Sequence, residues 1–180
     1  MATKTTSTHR ATRARPAPAP ISFGALPMAD VVIKSGAIRA GKTKRILNFS
    51  ALVNNPIGVQ ATIDVIRSRL PTTVVSEAMG FLSVPRNELL GALRIPVSSF
   101  HRKLSTKQAL SPEETERVMR LAEITRTTSE AFGGPVEAAA WLTTANMALG
   151  GQSPLSLLDT DAGANQVRRV LAVVNYGGAL

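Results

Sequence analysis

Cysteine is absent from the 180-residue chain, which excludes disulfides and thiolate metal sites. Histidine occurs only at His9 and His101, so no histidine-rich metal centre is available and no cofactor site is indicated. Aromatic residues make up 4% of the chain while apolar residues make up 44%. That balance favours helices packed through aliphatic side chains over a β-sandwich. No apolar run approaches the roughly 18 residues that span a bilayer, so a soluble protein without a membrane partner is expected. Acidic residues are scarce at one end: residues 1–45 hold nine Lys/Arg and one acid, 46–113 hold seven and four, and 114–180 hold five and seven. A polyanion would therefore be met by the first two thirds; a solvated basic tail that aids solubility is the other reading.

What is present divides into three parts. Residues 1–50 form a basic extension, whose first half, MATKTTSTHRATRARPAPAPISFGALP, alternates small, basic and proline residues without apolar periodicity. Such a segment buries too little surface to offset its chain entropy and is expected to be largely disordered. From Val59 helical spacing sets in, with Val59, Ile63, Ile66 and Leu70 on one stripe and Pro71 as its stop. A second helix carries Val75, Ala78, Met79 and Leu82 inward, and a third carries Leu89, Leu90 and Leu93. A fourth turns Val97, Phe100 and Leu104 inward and Ser98, Ser99, Arg102 and Lys103 outward, with His101 a partial core residue.

Ser111-Pro112-Glu113-Glu114 is a capping box with proline at the first helical position. It opens a long helix with Val118, Leu121, Ala122, Thr125, Ser129 and Phe132 inward, ended by Gly133-Gly134. Pro135 starts a helix holding Trp141, assigned to the core as the lone tryptophan. A glycine-rich loop follows, in which Leu149-Gly150-Gly151 is read as a structural turn, with direct partner contact as the alternative. The last helix begins after Thr160, with Val167, Val170, Leu171 and Val174 inward, and ends at Gly177-Gly178. The fold class is all-α.

The stretch VPRNELLGALRIPVSSFHRKL joins two short helices by a break around Ala92 to Pro96. That is the spacing of a helix-turn-helix, in which the first helix braces a second lying in the major groove. Ser98, Ser99, His101, Arg102 and Lys103 are its candidate DNA-binding residues, hydroxyls and cations suited to phosphates and guanine edges. A packed helical hairpin without DNA is the competing reading, since the turn position that often holds glycine is Arg94.

From about Val59 onward the order of features resembles the Xre-like antitoxins (ParS/MbcA type) that partner RES-domain toxins. The N-terminal part of the likeness is VIRSRLPTTVVSEAMGFLSVPRNELLGALRIPVSSFHRKLSTKQALSPEETERVMRLAEIT. The C-terminal part is sharper: Ala131-Phe132-Gly133, Ala140-Trp141-Leu142, Asn146, Leu149-Gly150-Gly151, Pro154-Leu155, Leu158, Thr160, Gly163, Leu171 and Tyr176-Gly177 follow in order and spacing. The resemblance implies a helix-turn-helix domain over 51–112 and a toxin-binding domain over 113–180. It also implies a non-enzymatic antitoxin in the bacterial cytoplasm that takes no small-molecule substrate. Its partners would be a RES-domain toxin that degrades NAD or transfers ADP-ribose, the operator DNA of its own operon, and a second copy of itself.

In that family the C-terminal end lies over the toxin's NAD pocket. The blocking segment here would be Asn175, Tyr176, Gly177, Gly178, Ala179 and Leu180, with Arg168 and Arg169 placed to meet toxin acids. Two glycines let a backbone enter a narrow cleft, and a terminal carboxylate suits the cations that hold a pyrophosphate. Where members carry a bulky residue after Tyr-Gly, this chain has Gly178-Ala179. A stand-alone helix-turn-helix regulator without a toxin is the alternative.

One further string, Gly36-Ala37-Ile38-Arg39-Ala40-Gly41-Lys42-Thr43, fits the phosphate-loop pattern and follows Val31-Val32-Ile33. A working loop needs a parallel sheet and an acidic strand end behind it, and the sequence shows neither. Leu157-Leu158-Asp159 imitates such an end but sits inside the helical C-terminal pattern. A basic linker is the preferred reading and a nucleotide-binding protein the remote one.

Overall fold

The computed structural model describes residues 48–177. The readings placed on the basic extension up to residue 47, including the Walker-like string, and on Gly178, Ala179 and Leu180 lie outside the described residues. Within them the chain is helical and contains no strand, only isolated bridges at Pro71/Ala109 and Asn146/Gln152. The helices are α1 (Phe49–Asn54), α2 (Val59–Ser68), α3 (Thr73–Leu82), α4 (Arg86–Ala92), α5 (Val97–Ser105), α6 (Pro112–Phe132), α7 (Pro135–Thr143), α8 (Pro154–Leu157) and α9 (Asp161–Tyr176), with a 3-10 turn at Met147–Leu149. None is long and apolar enough to cross a membrane.

Local chemistry sets the boundaries. The Ser111 hydroxyl accepts the Glu114 N–H while the Glu114 carboxylate accepts the Ser111 N–H, the reciprocal box expected there. Gly133, at φ 92°, stops the same helix in the left-handed region that glycine enters without steric cost. Three successive helices end alike. Ser83, Arg94 and Lys107 take φ values of 51°, 50° and 53°, and the residue after each donates back to the last turn (Val84 to Met79, Ile95 to Leu90, Gln108 to Lys103). These are Schellman closures made without glycine, each at roughly 1 kcal/mol of backbone strain. Pro85 and Pro96 then cap α4 and α5.

The long α6 is the spine, packed by α1, α2, α7 and α9. One contiguous core runs from Phe49, Leu52 and Val53 through Val74, Leu82, Leu89, Leu90, Phe100 and Val118 to Leu142, Leu155, Val167 and Leu171. It therefore links the helix-turn-helix half to the C-terminal half. Helix α1 was not anticipated from the sequence. Its Phe49 ring meets Phe81 edge-on with centroids 5.5 Å apart, and the Phe49 N–H donates to Glu77 on α3 at 2.9 Å.

Several expected inward positions are placed otherwise. Val59 is exposed, and Ile63 and Ile66 are only half-buried, because α2 rests on α6 by one edge. Leu70 is buried, but beyond the end of the helix, where its carbonyl accepts the Leu110 N–H at 2.8 Å. On α5, Phe100 is the one buried side chain, and Val97 and Leu104 stand partly in solvent. Trp141 is half-buried and stacked on Phe132, centroids 5.4 Å apart, against the edge of the core. Val174 on α9 is exposed, since the core ends at Leu171.

Candidate functional site

Two exposed features stand out, at opposite ends of the sequence reading. The first is the α4–turn–α5 unit. Phe100 and Ile95 anchor it, leaving Ser98, His101 and Arg102 exposed and Ser99 and Lys103 half-buried. His101, expected to be partly in the core, instead projects outward, its ring 5.8 Å from Phe100. Arg86, the first residue of α4, approaches His101 Nε2 through Nη1 at 3.3 Å. Because a guanidinium only donates, this pairing needs a neutral ring whose Nε2 accepts. Arg86 thus joins the exposed face of α5, and the sequence offered no local signal for it, since fifteen residues separate the two.

Lys103 is differently placed. Its ammonium is paired with Glu114, and the two side chains keep only 14% and 11% exposure. The same carboxylate that closes the α6 capping box therefore holds α5 against the spine. Lys103 acts as a brace between α5 and α6, whereas Ser98, His101 and Arg102 carry the outward face.

Arg94, in the turn itself, reaches across to Asp159 with Nε and Nη2 at 3.1 and 2.8 Å from Oδ2. Arg117 donates to the Leu93 carbonyl at 3.3 Å. Arg120 donates to the Leu158 carbonyl at 3.3 Å and is ion-paired with Asp161. Arg94 and Arg120 thereby tie the turn and α6 to the segment that launches α9, and Arg117 ties α6 to the turn, an arrangement no spacing rule reveals.

The second feature is α9. Its start is fixed by Thr160 Oγ1 accepting the Gly163 N–H at 3.1 Å. The Leu157 carbonyl lies so close to Gly163 that a Cβ there would fall well inside contact distance. Arg168 is engaged by Glu123 through two bonds of 3.0 and 2.6 Å, and this carboxylate raises the guanidinium's pKa above its ordinary value. Arg169 is exposed, so only the second of the adjacent arginines points to solvent unengaged among the described residues. After Leu171 every described residue is exposed, and the last turn presents Val173 and Tyr176 at 69% and 78% exposure beside Asn175 and Gly177. Among the described residues no group of three His, Asp or Glu could hold a metal ion.

Comparison with known proteins places both features. Residues 61–123 match the antitoxin Xre-like helix-turn-helix domain, and residues 129–177 match the antitoxin Xre/MbcA/ParS C-terminal toxin-binding domain. The Antitoxin Xre of Yersinia enterocolitica is 31% identical over 116 residues, 64% of this chain and 78% of that protein. The Prs ADP-ribosylating antitoxin of a Sphingobium species is 29% identical over 124 residues, 64% of this chain and 78% of its own length. The Antitoxin Xre of Photorhabdus laumondii is 25% identical over 114 residues, 63% and 77% of the two chains. With a helix-turn-helix module and a toxin-binding module in this order on one all-helical body, the chain belongs to the Xre antitoxin family.

Proposed function

We propose that this antitoxin neutralises a RES-domain, NAD-consuming toxin by laying the end of α9 and the residues after it over the enzyme's NAD pocket. The observation that carries the reading is the last turn of α9, where apolar side chains leave the core and stand in water. A helix end that gives its fold nothing yet exposes Val173 and Tyr176 is suited to burial against a partner. Asn175, Tyr176, Gly177, Gly178, Ala179 and Leu180 form the blocking segment, with Arg169 at its flank to meet toxin acids and Arg168 held back by Glu123. Inhibition is steric, and the antitoxin itself catalyses nothing and takes no cofactor. That one relative is named for ADP-ribosylation of Prs favours a toxin that uses NAD as a donor.

The second activity is repression of its own operon. A homodimer presents two copies of α5 to half-sites about one DNA turn apart, through Ser98, Ser99, His101 and Arg102, with Lys103 bracing the helix. The working division is a basic extension over 1–50, a DNA-binding part over 51–112 and a toxin-binding part over 113–180, acting in the bacterial cytoplasm. Co-expression with the toxin from the adjoining reading frame tests the first activity: full-length chain restores growth and a chain ending at Val174 does not. Rescue by the shortened chain equal to that by the full one refutes the occlusion.

A further inference from the structure

Between α7 and α8 the chain makes a closed knuckle. Asn146 holds both sides of it: its N–H donates to the Gln152 carbonyl at 3.0 Å, its own carbonyl accepts Leu149 and Gly151, and its side chain accepts the Ala148 N–H at 2.9 Å. Gly150 and Gly151, at φ 69° and 78°, supply left-handed geometry that other residues adopt only with strain. Leu149 points down into the core cluster with Val167 and Leu171, and the turn packs on α9. Every part of this device is accounted for by folding except Met147. The residue is 89% exposed, the highest value among the exposed large hydrophobics of the described residues, and a polar residue would serve the 3-10 turn equally well.

We infer that Met147 is a second anchor for the toxin, an apolar peg held on a rigid mount and seated in an apolar recess of the enzyme whose pocket the end of α9 approaches. The inference rests on the proposed neutralisation and extends it from the tail to the body of the domain. Three observations favour the toxin as occupant. The residue lies inside the matched toxin-binding module, 129–177. Its turn packs on the helix that carries the blocking segment, whereas exposed Val136 opens α7, which packs on α3, α6 and α8. A fixed turn also presents the side chain with little backbone ordering cost on binding, and methionine adapts its shape to irregular recesses.

Burying such a side chain contributes enough for about a 10- to 100-fold change in affinity. The test uses full-length chain and the co-expressed toxin. Met147→Ala is expected to weaken binding about 10- to 100-fold with an unchanged helical spectrum, and Met147→Asp further. Oxidation by dilute peroxide, read by mass spectrometry, gives an independent measure: Met147 converts rapidly in the free chain and is protected in the complex, while half-buried Met79 and Met119 change little between the two. Wild-type chain that fails to bind the toxin sinks the underlying reading. Tight wild-type binding with equal affinity for both variants, or no protection of Met147, overturns this inference alone. Protection that rises with chain concentration in the absence of toxin assigns the knuckle to a second copy and likewise overturns it.

Discussion

Replacing Glu114 with alanine removes one carboxylate that serves two structures. It closes the α6 capping box by accepting the Ser111 N–H at 2.6 Å, and it neutralises the Lys103 ammonium that holds α5. Loss of a capping interaction costs about 1 kcal/mol. Leaving a buried ion without its partner costs about 3–5 kcal/mol, but with Lys103 at 14% side-chain exposure the long aliphatic stem can carry the charge outward and recover part of that. The combined expectation for Glu114→Ala is about 2–3 kcal/mol of lost stability. Glu114→Gln, which keeps an acceptor for Ser111 and loses only the charge, should cost about half as much. Urea unfolding followed by circular dichroism reads the difference as a midpoint lowered by about 1.5 M for alanine, at a slope typical of a small domain. Because α5 is released from α6, operator affinity should fall in the same variant. A midpoint within about 0.3 M of wild type would refute the reasoning and show the pair to be a solvated contact.

Three other perturbations follow from the packing. Thr125 Oγ1 is buried without a hydrogen-bond partner, so Thr125→Val should raise stability by up to about 1 kcal/mol; a loss of stability in thermal unfolding would reveal a bond from that hydroxyl. Gly163→Ala drives a methyl into the Leu157 carbonyl and should cost about 1–3 kcal/mol while weakening toxin binding by tilting α9, whereas unchanged unfolding would mean that the α8–α9 junction yields freely. The Glu113 carboxyl is held below its ordinary pKa, chiefly by the Ser111 hydroxyl and further by its own backbone and by Arg117 and Arg69. Its ionised form therefore favours the folded state at neutral pH, and that contribution fades as pH drops below the ordinary carboxylate range. Wild type should exceed Glu113→Gln in stability at pH 7, and the gap should close on acidification; a gap that widens reverses the sign.

The α6 boundaries were legible because capping is a local code: Ser111, Pro112 and Glu114 lie within four residues, and Gly133 marks the other end. The stripes of α3, α4 and the middle of α6 were legible for a similar reason, their apolar positions recurring at helical spacing over a fully covered face. Periodicity does not say where a helix overhangs its neighbours, and so Val59, Val97, Leu104 and Val174 were read as inward although they extend past the core. Helix α1 escaped because six residues are too few to show a period, even with Phe49, Leu52 and Val53 correctly spaced. At the candidate sites the outward placement of Arg102 was readable from its stripe, whereas Tyr176 was singled out only by the family resemblance. The engagement of Lys103 by Glu114, of Arg168 by Glu123 and of Arg94 by Asp159 was not, since each partner is brought in by tertiary packing across 11, 45 and 65 residues.

Turnover of NAD by the purified RES-domain toxin, titrated with this chain, addresses occlusion most directly. The full-length chain is expected to abolish consumption near equivalence, and a chain ending at Val174 is expected to bind through its remaining surface yet leave NAD turnover running. Full inhibition by the shortened chain, or undiminished turnover in the presence of bound full-length chain, would contradict a substrate pocket filled by the end of α9.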